Sequence, residues 1–187
     1  QKDFQRLNII MDINSRIIDV KVFQEDILLL FITYNSRGFL LNTNSLISKT
    51  RTGKKIFNIK QSISSDMGIN INNEKINSNY LYKICYIKDE DTHISIIGSN
   101  RKMIVFAINE LPLLKSGAGV IMQKYRDNQD IMSDCKSFNI KEGLKWKVGH
   151  SRIRTQSDLG LWISRRGGIG KNPPHGFPKN NKFDDIK

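Results

Sequence analysis

YNSRGFLLNTNSLISKTRTGKKIFNI, residues 34–59, is the stretch that decides the predicted fold. Two apolar runs flank a turn at residues 35–38, and the glycine that ends this turn is typical of a hairpin that needs a positive φ. The second run leads into a loop of lysines and arginines around Gly53. From Arg37 to Ser65 the chain has six basic residues and no Asp or Glu. The stretch therefore predicts a β-hairpin followed by a basic loop that attracts an anion.

The same pattern occurs again 64 residues later, where Arg101 corresponds to Arg37 and Gly117 corresponds to Gly53. An opening strand precedes each copy, and a third copy of that strand surrounds Cys135 before the pattern stops. Two repeats and a fragment, each built of short strands, predict a repetitive β architecture. The predicted repeats cover about residues 17–60 and 81–125, with a partial repeat at 131–147.

Apolar runs between turns predict the strands. The continuous run at residues 27–32 predicts a strand that is covered on both faces. The polar segment 60–79 has no clear period and predicts a loop. The predicted strands are residues 17–23, 27–34, 80–88, 92–98, 102–108, 118–125, 131–138 and 144–147, together with the run that follows Gly38.

The chain divides by composition into a domain at residues 1–147 and a Gly/Pro-rich tail at 148–187. The tail's glycines and prolines predict no regular structure there. Its aromatic residues Trp162, Phe177 and Phe183 predict a tail packed along the domain. Residues 143–187 hold ten Lys/Arg and three Asp/Glu, so the tail is also strongly basic.

The formal net charge of +12 and the pI of about 9.8 over 187 residues favour a polyanionic partner. Nucleic acid is the first candidate, an acidic membrane surface the second and an acidic protein the third. A membrane partner is excluded because no basic amphipathic helix or lipidation motif is found. Without a secretory segment or a run of 18 apolar residues, a cytoplasmic location is expected. The chain begins at Gln1 within the strand pattern, as expected of a piece of a longer protein.

No catalytic centre is predicted. The three histidines lie far apart without metal-ligand spacing, and no phosphate-binding Walker loop occurs. Cys85 and Cys135 sit at equivalent places in repeated apolar strands, which predicts buried small side chains in a reducing compartment rather than a disulfide. The chain by itself is expected to be non-catalytic, with no bound metal or cofactor.

Basic residues at corresponding places of the repeats are the candidate DNA-binding residues, because Lys and Arg neutralise backbone phosphates and release counterions. Such binding is strong, independent of sequence and steeply dependent on salt. The candidates are Arg37, Lys49, Arg51, Lys54 and Lys55 from the first repeat, Arg101, Lys102, Lys115, Lys124 and Arg126 from the second, and Arg165 and Arg166 from the tail.

Several motifs resemble the C-terminal domain of the A subunit of DNA topoisomerase IV. They are SRGFLL (36–41), KTRTGKKIFNI (49–59), NRKMIVF (100–106) and LPLLKSGAGVIMQKYRD (111–127) in the repeats, and GLKW (143–146), RTQSDLG (154–160) and PPHGFPKNNKF (173–183) at the end. The resemblance covers nearly the whole chain, and the last three motifs are its most specific part.

This resemblance implies an all-β fold, a β-pinwheel: a propeller-like, incomplete disc of four-stranded blades that exchange strands with their neighbours. It also implies that the domain binds and bends double-stranded DNA and presents it to the catalytic core for decatenation and relaxation. The whole enzyme would be an ATP-dependent type II topoisomerase. Its A subunit would form a homodimer that joins the B subunit in a heterotetramer, with ATP and Mg²⁺ bound outside this chain.

Two alternatives remain open from the sequence. RRGGIGK (165–171) is similar to the basic, glycine-rich box with which the gyrase A C-terminal domain wraps DNA, although it lies in the tail and Ile169 replaces a basic residue. The alternative from another class is a basic β-propeller scaffold that binds RNA or an acidic protein. Against it, the basic residues are not flanked by an aromatic stacking platform.

Overall fold

A computed structural model describes residues 17–50, 52–58, 68–71, 74–127, 129–149 and 152–184, with the backbone alone for 68–71 and 74–76. These residues contain no α-helix, only single 3₁₀ turns at Thr43–Leu46, Ile108–Glu110 and Ile140–Glu142. The prediction of an all-β chain is confirmed. The strands are β1 (Leu28–Thr33), β2 (Arg37–Asn42), β3 (Gly68–Ile71), β4 (Glu74–Asn77), β5 (Leu81–Ile87), β6 (His93–Gly98), β7 (Met103–Ala107), β8 (Val120–Ile121), β9 (Met132–Phe138), β10 (Leu144–Val148) and β11 (Arg152–Gln156).

The first blade is an antiparallel sheet in the order β5-β1-β2-β8. Its centre is the hairpin β1–β2, and its two outer strands come from later in the chain. β5 pairs with β1, with Leu30 opposite Cys85, while β8 pairs with β2, with Gly38 opposite Val120. The second repeat therefore completes the sheet of the first, and the two repeats are interlocked.

The second blade repeats this arrangement in the order β7-β6-β9. β9 takes the outer position beside β6, with Ile96 opposite Cys135. A single bridge between Met103 and Lys171 occupies the other edge, where β8 lies in the first blade. The hairpin β10–β11 begins a third unit, and β3–β4 forms a separate hairpin.

The apolar run of β1 is buried on both faces, which confirms the sequence prediction. Leu30 and Ile32 pack into the core between the two blades, whereas Leu29 and Phe31 pack into a cluster on the opposite face with Phe39. Alternate residues of a strand point to opposite faces, so a strand that is covered on both sides needs apolar residues throughout.

The tail lies against the second blade through its aromatic side chains. Trp162, Phe177 and Phe183 are buried in one cluster with Trp146 of β10. The Trp162 indole also donates a hydrogen bond to the Asn172 carbonyl (2.8 Å). β11 lies within the tail, so the expectation of no regular structure after Val148 is wrong. The boundary between domain and tail at 147/148 stays a prediction.

Residues 17–23 do not form the predicted strand and are exposed. The later opening strands, β5 and β9, each pair with the hairpin of the repeat before them. The described part of the chain has no hairpin before residue 17, and an unpaired strand leaves its backbone hydrogen bonds unmade. The expected strand at 118–125 is reduced to β8, and β3 and β4 replace part of the loop expected at 60–79.

The structural repeat is 65 residues, one more than the 64 inferred from matching Arg37 with Arg101. Gly38 stands opposite Ile32 in the first hairpin, as Met103 stands opposite Ile97 in the second. The positive φ of each turn falls on Ser36 (57°) and Arg101 (60°), and not on Gly38 as expected. Arg101 therefore corresponds to Ser36, not to Arg37.

Candidate nucleic-acid interface

The first junction between repeats brings lysines of both repeats together. Phe57 forms a parallel bridge with Gly117, and the Asn58 amide donates to the Gly117 carbonyl (3.0 Å). Lys55 and Lys115 each precede this bridged pair by two residues, and both are exposed. Two lysines that lie far apart in the sequence therefore enter the same junction.

Other cations of the first repeat lie on the loop that leads into this junction. Lys54 is exposed and its Nζ donates to the Ser45 carbonyl (2.8 Å). Lys49 is exposed as well. Arg51 lies outside the described residues. We call Lys49, Lys54, Lys55 and Lys115 the first-junction lysines.

The second junction has the same construction. Gln123 forms a parallel bridge with Gly168, and the Lys124 amide donates to the Gly168 carbonyl (3.1 Å). The predicted candidates Lys124, Arg126 and Arg165 are exposed here. Lys171 is exposed too, and it was missed because the sequence alone does not show that residues 165–171 repeat the role of 114–120. We call these four the second-junction cations.

Two predicted arginines hold the backbone of a neighbouring segment. Arg37 is half-buried, and its guanidinium donates to the carbonyls of Ala118 (3.4 Å) and Gly119 (3.0 Å). Arg101 is half-buried too, and its donors are directed at the tail. They reach the Phe177 and Pro178 carbonyls and the Asn181 side-chain oxygen, each at 2.9 Å. Their contact with DNA stays a prediction, but the structure gives both residues a structural role.

Lys102 and Arg166 also contact the protein itself. Lys102 Nζ donates to the Asn172 side-chain oxygen (2.7 Å). The Arg166 side chain donates to the carbonyls of Glu110 (2.9 Å) and Ile121 (3.2 Å), and its backbone amide donates to the Glu110 carboxylate (3.0 Å). Part of the charge of these two residues is therefore directed inward.

The glycines of the gyrase-like box serve close packing. Gly170 has φ 84°, and a Cβ there would lie 2.5 Å from the Met103 carbonyl oxygen. Gly119 is its counterpart in the first junction, with φ 71° and a Cβ position 2.8 Å from Gly38 atoms. The box is thus the second copy of a connecting segment that passes tightly over a hairpin. Its glycines are accounted for by this packing and need no phosphate.

Most acidic side chains lie apart from the junctions. Asp19, Glu90, Asp91 and Glu142 line a cleft between β5 and β9, and no residue of either junction lines it. Two acids do lie near the second junction: Glu110, bound to Arg166, and Asp127, whose carboxylate accepts a hydrogen bond from the Gln129 amide (2.9 Å). The first-junction lysines have no acid near them in sequence.

This arrangement suits a phosphate backbone better than unpaired bases. Exposed Lys and Arg bind phosphates by charge without reading sequence, whereas single-strand binders add aromatic rings on which bases stack. Among the described residues, the clearly exposed aromatic side chains are Phe23, Tyr80 and Tyr86, which belong to other segments. No group of His, Cys, Asp and Glu suited to a metal ion occurs in the described part of the chain. The same residues include no helix long and apolar enough to cross a membrane.

Interlocked antiparallel blades with basic junctions define this chain as a β-pinwheel domain, and comparisons with known proteins agree. No protein-family profile matches it. The chain is 33% identical over 178 residues to the A subunit of DNA topoisomerase 4 from Rickettsia prowazekii (strain Madrid E), a match that covers 95% of this chain and 21% of that protein. The chain belongs to the family of DNA topoisomerase 4 A subunits, as its motifs indicated.

Solved structures agree on the fold. The E. coli ParC C-terminal domain superposes with a TM-score of 0.61 at 18% identity, over 82% of this chain and 58% of that one. A C-terminal domain of DNA topoisomerase IV gives 0.56 at 12% identity, over 82% and 43%. The predicted β-pinwheel is therefore confirmed. The chain spans about a fifth of the length of the curated relatives it matches.

Proposed function

We propose that this domain binds and bends duplex DNA, independently of sequence, through the exposed cations of its two junctions. The observation that carries the proposal is that cations from separate repeats gather at two junctions built by the same pairing, Phe57 with Gly117 and Gln123 with Gly168. Because successive blades repeat this pairing, the junctions occupy corresponding places, and a curved duplex that follows one can reach the other. Seven predicted cations are exposed there: Lys49, Lys54, Lys55, Lys115, Lys124, Arg126 and Arg165.

We further propose that the domain works as part of the longer A subunit of an ATP-dependent type II topoisomerase. Membership of the family of DNA topoisomerase 4 A subunits supports this. The domain would present a DNA segment to the catalytic core, which is formed with a dimer of the A subunit joined to the B subunit in a heterotetramer. ATP and Mg²⁺ would act elsewhere in that assembly, which works on chromosomal DNA in the cytoplasm. The domain itself contributes binding and bending.

Fluorescence anisotropy with a labelled duplex, its single strand and an RNA duplex over a salt series tests the DNA-binding step. We expect the DNA duplex to bind most tightly, with log K falling linearly against log salt by about 0.9 for each phosphate contacted. Energy transfer between dyes at the two duplex ends should rise when the domain bends the DNA. Preference for RNA, or a salt slope near zero, would remove the proposal.

A further inference from the structure

The chain has two cysteines, and they meet between the blades. Cys85 on β5 and Cys135 on β9 are free thiols whose sulfur atoms lie 2.7 Å apart. Both residues are buried, with exposed fractions of 8% and 2%. Non-bonded heavy atoms normally approach to about 3.5–4 Å, and a disulfide bond is about 2.05 Å long. The two sulfurs are therefore already closer than an ordinary packing contact.

The strand registers explain why the thiols face each other. Cys85 stands opposite Leu30 and Cys135 opposite Ile96, and both partners point into the core between the blades. By the repeat of the sheets, the residue that corresponds to Cys85 is Lys136, not Cys135. Neighbouring strand residues point to opposite faces, so the offset of one residue turns Cys135 back toward Cys85. The equivalence inferred from the sequence was wrong by this one residue.

Flanking contacts hold the two strands at this separation. Lys83 Nζ on β5 donates to the Asp134 carboxylate (2.6 Å) and to the Cys135 carbonyl (3.2 Å). The Tyr82 hydroxyl donates to the Ser133 carbonyl (2.9 Å). These bonds cross from one blade to the other on one side of the thiols. A covalent bond between the sulfurs therefore needs little movement of the strands.

A cleft of about 620 Å³ brings small molecules to the pair. Both cysteines line it, together with Lys83 and with the exposed residues Lys88 and Glu90, which connect it to solvent. A small neutral oxidant such as hydrogen peroxide fits such a cleft.

We propose that Cys85 and Cys135 form a reversible disulfide that ties the two blades together, with hydrogen peroxide as the oxidant. One thiolate attacks a peroxide oxygen, which gives a sulfenic acid and releases hydroxide. The second sulfur then attacks the sulfenic sulfur, the S–S bond forms and water leaves. The two thiols lose two electrons and the peroxide is reduced to two waters; a dithiol reductant reverses the change. The site does not depend on DNA binding.

The electrostatic surroundings set the expected pH dependence of the reaction. Burial raises the pKa of the Cys135 thiol, and Cys85 raises it further, while the Lys83 ammonium opposes them. The reactive thiolate is therefore scarce at neutral pH, and oxidation should accelerate as the pH rises.

Thiol counting on the folded chain tests the proposal directly. After peroxide treatment, the protein is denatured and alkylated with N-ethylmaleimide, and its mass is measured. We expect no alkylated cysteine and the loss of two hydrogens, with both thiols restored by dithiothreitol. The oxidised protein should melt at a higher temperature than the reduced one. Two thiols that still alkylate, oxygen adducts without a disulfide, or disulfide-linked dimers alone would overturn the proposal.

Two controls show whether the fold positions the pair. Cys85→Ser and Cys135→Ser each keep one thiol, so neither should gain thermal stability on oxidation. The wild-type chain unfolded in urea should form the same disulfide more slowly than the folded chain, after correction for thiolate content. Equal rates would show that the fold does not bring the sulfurs together and would contradict the proposal.

Discussion

Lys83 on β5 and Asp134 on β9 form an ion pair across the two blades, with 2.6 Å between Nζ and Oδ1. The Asp134 carboxylate also accepts the backbone amides of Cys135 (2.9 Å) and of Phe183 in the tail (2.8 Å). One buried side chain therefore joins the first blade, the second blade and the tail.

Asp134→Ala should destabilise the domain strongly, because it leaves the Phe183 amide without its acceptor and Lys83 without its charge partner. We expect a loss of about 3 kcal/mol in the free energy of unfolding, since breaking a buried pair is more damaging than removing an exposed one. Urea unfolding measures it. Asp158→Ala, an exposed carboxylate of the tail, is the control and should have a much smaller effect. Equal losses would show that Asp134 does not join the three segments.

Arg101→Lys should separate structure from DNA binding. Lysine keeps the charge but cannot make the three hydrogen bonds to Phe177, Pro178 and Asn181. We expect a loss of about 2 kcal/mol in unfolding free energy and easier proteolysis of the tail, with little change in DNA affinity. Arg126→Lys, at an exposed position, should change neither. A large loss of affinity in Arg101→Lys without a loss of stability would assign Arg101 to DNA instead.

Gly170→Ala should be far more damaging than Gly149→Ala, although both glycines have positive φ (84° and 67°). Gly149 has open space where a Cβ would stand, so alanine there introduces backbone strain alone, about 1 kcal/mol. At Gly170 the added Cβ also meets the Met103 carbonyl at 2.5 Å, and we expect about 3 kcal/mol in total. Thermal melting of the two variants checks this. Similar melting temperatures would contradict the close packing of the connecting segment.

Lys54→Glu combined with Lys55→Glu should weaken duplex binding without unfolding the domain, because both side chains are exposed. The affinity at low salt should fall about tenfold or more, and the slope of log K on log salt should decrease by about 2. The matched control is Lys88→Glu with Lys141→Glu, which makes the same charge change at exposed positions away from the junctions. Equal losses in both double variants would show that net charge, and not the first junction, determines binding.

Stability should fall on the alkaline side. Removal from water raises the pKa of the Cys135 thiol and of the Tyr125 hydroxyl in the folded state. The unfolded chain therefore loses these protons first, from about pH 9 upward, and each group favours unfolding until the pH exceeds its folded-state pKa. Urea unfolding between pH 7 and pH 11 should show a plateau and then a decline, smaller in Cys135→Ser. A constant free energy over this range would refute the prediction.

The sequence was a good guide wherever the signal is local. The apolar run of β1, which packs Leu30 on one face and Phe31 on the other, predicted a strand covered on both sides. It was a poor guide wherever the partner is distant. Residues 17–23 have a strand-like composition but no neighbouring hairpin in the described chain, and a strand needs both.

The candidate interface divides in the same way. Lys54, Lys55 and Lys115 were identified by charge alone, and the structure places them at one junction. Arg37 and Arg101 fit the same charge pattern, yet each guanidinium binds carbonyls more than 70 residues away in the chain. No local pattern in a sequence shows that a distant carbonyl will lie within reach of an arginine.

The amino-acid sequence by itself determined the strand content, the repetition and the excess of positive charge, because apolar spacing, turn residues and charge are properties of short segments. Only the tertiary structure decided which cations remain exposed, which residues correspond between blades, and that Cys85 meets Cys135. The physical reason is that these outcomes depend on strand register, where a shift of one residue reverses the direction of every side chain.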